Sequence, residues 1–204
     1  MCSANNISTL NNDPVKQVTK TIQKGQTSSV FASGCFWCVE AVFESVEGVS
    51  EAVSGYAGGS AKDANYSAIG SGKTGHAEAV EVFYDPKVVS YETLLKVFFG
   101  SQDPTTLNQQ GPDRGTQYRS TIFYKNEAEK LASEKYIAEL TKNKVFDGAI
   151  TTTLEPLVKF YDAEDYHQNY EARNPNQSYV RAVSVPRLNK FKAKFPELLK
   201  KGHH

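Results

Sequence analysis

The sequence is poor in sulfur: three cysteines and a single methionine, Met1. Three cysteines, two of them within one turn of each other, do not form the framework of a disulfide-stapled domain. There is no surplus of charge either, because 23 Lys and Arg balance 23 Asp and Glu. General binding to nucleic acid or to an anionic membrane needs a basic excess, so neither is expected. No stretch approaches the roughly 18 consecutive apolar residues of a membrane span. No apolar signal-peptide core opens the chain. Metal-ligand spacing is missing too. Zinc takes four ligands, often as two Cys-x-x-Cys pairs. Beyond Cys35 and Cys38 the chain has only Cys2, and His76 and His167 stand far apart in sequence. No metal is expected, and no nucleotide or flavin signature is present.

What is there is an ordinary globular composition over 204 residues, enough for one sizeable domain. Residues 1–27 differ: they are rich in Asn, Ser, Thr, Gln and Lys and show no sustained period. They read as a polar, mostly disordered tail ahead of a single domain over 28–204. Localisation has two readings. One is a cytoplasmic protein in which Cys2 is incidental. The other is a bacterial periplasmic lipoprotein anchored at Cys2 through a polar tether. His203 and His204 are given no functional weight.

The most informative stretch is Ser29 to Glu40, Ser-Val-Phe-Ala-Ser-Gly-Cys-Phe-Trp-Cys-Val-Glu. Val30, Phe31 and Ala32 read as a short buried strand, and Ser33-Gly34 as a turn. From Cys35 the apolar spacing becomes helical, with Val39, Val42, Phe43 and Val46 interleaved with Glu40, Glu44 and Glu47. Cys35 is therefore expected where a strand turns into a helix. There the unpaired N–H groups and the positive end of the dipole favour the thiolate, the nucleophilic form. Cys38 lies one turn on, along the same side. A Cys-x-x-Cys pair suits a redox disulfide, half of a zinc site, or two inert buried thiols. Phe36 and Trp37, the latter the only Trp, suit the wall of an apolar pocket and equally a core at a helix start.

Further along, a strand over Val49 to Tyr56 leads into a long Gly- and Ser-rich loop that holds Tyr66. In Ala77-Glu78-Ala79-Val80-Glu81-Val82-Phe83-Tyr84, alternation puts Glu78 on the face of Val80, Val82 and Tyr84. Burial there raises a carboxyl pKa, so Glu78 is a candidate proton donor near neutral pH. Its alternative is a strand-start Glu with its head in water. Ser90 caps the next helix, and a second polar loop, Gly100 to Gly115, precedes a strand over Thr116 to Tyr124. The order strand, helix, strand, strand, helix, strand is the split βαβ arrangement. It predicts an α+β fold: a ferredoxin-like two-layer α/β sandwich with a βαββαβ core, plus C-terminal helices and irregular segments. A helix over Asn126 to Lys142, strands interrupted at Pro156, and an amphipathic helix over residues 187–201 complete the reading. Arg119 is expected to pair with a carboxylate, His76 to fix a loop, and His167 to be a packing residue.

Gly34-Cys35-Phe36-Trp37 followed by Glu40 resembles the signature of the A-type peptide methionine sulfoxide reductases. Asn65-Tyr66, Gly75 through Val80, Asp113 through Ser120 and Glu164 through Tyr170 extend the resemblance, which spans Ser29 to Tyr179. It implies reduction of the S epimer of methionine sulfoxide in proteins, peptides or free form. Phe36 and Trp37 would hold the S-methyl group. Tyr66, Tyr118 and protonated Glu78 would bind the sulfoxide oxygen, and Asp113 would line the site. Cys35 would attack the sulfur and become a sulfenic acid, which Cys38 would resolve to a disulfide. No cofactor is implied, only an external reductant, thioredoxin or dithiothreitol. The expected partners are oxidised proteins and thioredoxin, and the expected state is a monomer. Many members of that family carry Gly after the Trp and recycling cysteines near the C-terminus; here no cysteine follows Cys38. The alternative is a general thioredoxin-like dithiol–disulfide oxidoreductase, which would leave Glu78 and both tyrosines idle.

Overall fold

A computed structural model of the chain describes residues 25–202. The expectations for Cys2, for most of the tail and for His203 and His204 lie outside the described residues. The chain runs β1 (Thr27–Ala32), α1 (Phe36–Glu44), β2 (Val49–Ala57), α2 (Tyr66–Ile69), β3 (Ala77–Tyr84), α3 (Tyr91–Gly100), β4 (Gln109–Gln110) and β5 (Asp113–Arg114). It continues β6 (Thr121–Tyr124), α4 (Glu127–Lys142), β7 (Thr153–Pro156), β8 (Phe160–Asp162), α5 (Tyr170–Arg173), a π-helical segment (Val180–Ser184) and α6 (Val185–Lys194).

Six strands form one mixed sheet in the order β7-β6-β1-β3-β2-β8. The β6-β1-β3-β2 centre is antiparallel throughout and follows the order of the split βαβ motif. Only β6 and β7 pair in parallel. A parallel neighbour requires a crossover, and α4 supplies it.

Period-two alternation sorts the side chains of the central strands. Phe31, Val80, Val82, Tyr84 and Ile122 face the main core, where α1 and α3 cover them with Phe36, Val39, Val42, Phe43, Leu94, Leu95 and Phe98. Val30, Ala32, Ala77, Ala79 and Phe123 form a smaller cluster on the opposite face, closed by Leu157 and Phe160. Ser90, Asn65 and Asn126 cap α3, α2 and α4, each side chain accepting a backbone N–H three residues on.

Three elements depart from the sequence reading. Thr116–Tyr118 is a 3-10 turn, and the strand begins only at Thr121. Gly115, at φ +136, turns the chain just before it. Tyr66 stands at the first position of a short helix within the long loop. The terminal helix ends at Lys194, because Pro196 cannot continue it; Pro196–Leu198 forms a separate turn. Phe191 docks α6 into the core. Arg119 pairs with Glu155 at 3.0 Å. His76 accepts the Gly59 N–H at Nδ1 and so donates from Nε2 to the Ser60 carbonyl, fixing that loop.

Candidate active site

The site grows from the β1–α1 turn. Gly34 has φ +78, and a Cβ there would lie 2.6 Å from Cβ of Gln110, so glycine is required twice over. Its N–H donates to the Tyr118 carbonyl at 3.2 Å, which ties the 3-10 turn to the site. Cys35 is the N-cap residue of α1, its carbonyl accepting the N–H groups of Cys38 and Val39. No acidic residue occupies the first helical turn, so nothing there offsets the positive helix end. Cys35 and Cys38 are not joined by a disulfide, and each is only 1% exposed. The Cys38 thiol stands at about 7, lowered chiefly by its hydrogen bond with Cys35. Burial opposes that, while the Arg187 charge and the Ser184 and Tyr179 hydroxyls support it. The Tyr179 hydroxyl lies 3.9 Å from the Cys38 sulfur.

Glu78 comes from β3, one strand away in space and 42 residues away in sequence, to accept the Phe36 N–H at 3.1 Å. Its carboxyl is 1% exposed, and burial pushes it up to about 8. The Phe36 N–H pulls the other way; the negative charges of Asp113 and Cys38 add to the rise. At neutral pH the carboxyl is therefore mainly protonated. It stands beside the peptide that follows Cys35, so acid and nucleophile occupy one place.

Aromatic rings close the remaining sides. Tyr66 stacks on Phe36, with centroids 6.4 Å apart and planes 15° apart. Trp37 stacks on Tyr170 at 3.7 Å and 7°. The Trp37 indole N–H donates to Nδ1 of His167 at 3.0 Å. Indole is a donor only, so His167 carries its proton on Nε2. His167 is 0% exposed, and burial lowers it to about 4, which keeps it neutral. Glu164 braces the same corner: one carboxylate oxygen accepts the Tyr66 N–H at 3.0 Å, the other the Tyr56 hydroxyl at 2.7 Å. Asp113, buried on β5, accepts the Tyr179 hydroxyl.

The structure thus gathers Cys35, Phe36, Trp37, Cys38 and Glu78 at one turn. It brings Tyr66 to it through Phe36, Tyr118 through Gly34, and Asp113 through Tyr179. Tyr179, Tyr170, Glu164 and the bond from His167 to Trp37 are contributions that sequence reading did not assign. Only the Glu164 to Tyr170 string carried a signal for three of them. Glu40 has a role of its own: buried, it accepts the Ser54 hydroxyl and the Asn169 N–H, clamping α1 to β2 and to the segment before α5. Among the described residues no group of three or more His, Cys, Asp or Glu is placed to hold a metal ion.

Two thiols in hydrogen-bond contact at a helix start, backed by a protonated carboxyl, are the equipment of a thiol-dependent oxidoreductase. More narrowly, the chain belongs to the peptide methionine sulfoxide reductases, whose family model matches residues 27–199. It is 49% identical over 175 residues to "Peptide methionine sulfoxide reductase MsrA 2" of Mesorhizobium japonicum, covering 85% of this chain and 90% of that protein. Among solved structures, reduced Mxr1 from Saccharomyces cerevisiae matches with TM-score 0.73 and 34% identity, over 79% of this chain and 92% of that one. Mxr1 in complex with Trx2 matches with TM-score 0.53 and 26% identity, over 76% of this chain and 91% of that one.

Proposed function

We propose that this chain reduces the S epimer of methionine sulfoxide to methionine, as a single domain over 28–204 acting as a monomer. Phe36 and Trp37 receive the S-methyl group. Glu78, Tyr66 and Tyr118 hydrogen-bond the sulfoxide oxygen, and Asp113 supports the bound substrate. Sulfoxide sulfur is a poor electrophile until its oxygen is protonated, so the reaction needs an acid beside the nucleophile. The Cys35 thiolate attacks the sulfur and Glu78 gives its proton to the oxygen. Oxygen passes to Cys35 as the sulfenic acid, and methionine leaves. The Cys38 thiolate then attacks the Cys35 sulfur; the S–S bond forms, the S–O bond breaks, and hydroxide leaves as water after gaining a proton. An external dithiol, thioredoxin in a cell or dithiothreitol in an assay, returns both thiols by exchange. The crystal complex of Mxr1 with Trx2 supports thioredoxin as that partner.

One observation carries this reading: a buried carboxyl raised to about 8 accepts the N–H of the residue after Cys35. General dithiol exchange would use the same thiols and leave that carboxyl without a task. The test is incubation with a racemic methionine sulfoxide peptide and dithiothreitol, following each epimer. Loss of the S epimer alone is expected; loss of neither would overturn the proposal.

A further inference from the structure

Arg187 lies on α6, 154 residues beyond Ser33, yet it lines the cleft that also holds Cys38, Asp113 and Tyr179. The cleft has a volume of about 380 Å³. The guanidinium donates to the Ser33 carbonyl at 2.9 Å, to the Ser33 hydroxyl at 2.9 Å and to the Ser101 carbonyl at 2.7 Å. Ser101 closes α3 as its C-cap. Nη1 stands 3.7 Å from where a Gly34 Cβ would be. All three acceptors are uncharged, so the cation is fixed in place without a hydrogen-bonded counter-ion among them.

The local winding explains how a distant segment reaches the dithiol. Five residues of α-helix turn through about 500°, which would leave Tyr179 and Ser184 roughly 140° apart. Val180–Ser184 is π-helical instead, and closure from i to i+5 brings positions five apart onto one face. Arg187 follows Ser184 by three residues, again on the same side. Tyr179, Ser184 and Arg187 consequently all act on Cys38.

We propose that Arg187 is a positioning residue for the resolving step: it pins the Ser33–Gly34 turn to the end of α3, and its fixed charge holds Cys38 as a thiolate facing Cys35. This rests on the sulfoxide-reductase reading above, in which Cys38 attacks the Cys35 sulfenic acid. The groups that face Cys38 are Cys35 from the turn, Glu78 from β3, Asp113 through Tyr179, and Arg187 from α6, with Asp103 and Lys190 further along the cleft. Glu78 is mainly protonated at neutral pH, and Asp113 already accepts the Tyr179 hydroxyl. Arg187 is left as the cation acting on the sulfur.

Rapid-quench single turnovers separate the two steps. The methionine burst reports attack by Cys35, and loss of dimedone-reactive sulfenic acid reports closure by Cys38. Wild-type closure should rise with pH as Cys38 loses its proton. Arg187→Gln should slow closure at pH 7 about ten-fold more than it slows the burst, and move the inflection upward. Arg187→Lys, which keeps the charge but not the three-donor fork, should recover part of that ratio. Equal slowing of both steps in Arg187→Gln would overturn the proposal, as would a lysine variant that behaves like glutamine. Wild-type closure that does not change between about pH 6 and 9 would overturn it whether or not the variants fold. Absence of a wild-type methionine burst would instead overturn the sulfoxide reading itself.

Discussion

Glu78 accepts the backbone N–H of Phe36 at 3.1 Å, which sets a protonated carboxyl one peptide away from Cys35. That bond makes the acid part of the helix start that carries the Cys35 thiol. Glu78→Gln keeps the acceptor and removes the proton. The methionine burst should fall about 10²- to 10³-fold, with the fold intact by circular dichroism. In the wild type the burst should decline as pH rises through about 8, where Glu78 loses its proton. The glutamine variant should lack that limb. A burst in Glu78→Gln equal to wild type would remove Glu78 from the mechanism.

Cys38→Ser should still release one equivalent of methionine per enzyme, because Cys35 and Glu78 are untouched. Thioredoxin-coupled turnover should stop. Counting methionine against enzyme in a quench experiment checks both halves. Sustained turnover would show that another group resolves the sulfenic acid.

The His167 bond to Trp37 gives a prediction with an optical readout, since Trp37 is the only Trp in the sequence. His167→Phe removes the acceptor and leaves a buried indole N–H unpaired, at about 1–3 kcal/mol. Trp emission should shift, and KM for the sulfoxide should rise more than kcat falls, because the proposed methyl-binding wall loses its fixed orientation. An unchanged spectrum would mean that the indole has found another acceptor.

Glu40 predicts a pH effect on stability. Burial raises its carboxyl to about 8, against the opposing Ser54 and Asn169 hydrogen bonds. Its folded-state pKa lies above the unfolded value, so its contribution is fully present below about 4.3 and is lost as pH rises through about 8. Glu78 adds a loss of the same sign. Glu40→Gln, which mimics the protonated form, should therefore flatten the fall in melting temperature between pH 5 and 9. Parallel melting curves for variant and wild type across that range would refute it.

Local pattern revealed the elements that face one another over short distances. Alternation in β3 placed Glu78 with Val80, Val82 and Tyr84, and the change of period after Gly34 placed Cys35 at a helix start. The family resemblance supplied Tyr66, Tyr118 and Asp113, which no spacing argument could bring near Cys35. Other features left no local trace. A 3-10 turn at Thr116–Tyr118 reads like a strand, because its departure depends on where Gly115 sends the chain. The π segment contacts α1, and nothing in its residue types marks the winding. Tyr179 and Arg187 contribute across 141 and 154 residues of sequence, to Cys38 and Ser33 respectively, so their partners are visible only once the chain is folded.

Cys35 and Cys38 are each about 1% exposed, and Cys38 lines the cleft it shares with Tyr179 and Arg187. A thiolate left open in a cell flooded with peroxide would be consumed by the oxidant whose damage it repairs. Enclosure favours a guest that brings a methyl group for the rings and an oxygen for the carboxyl.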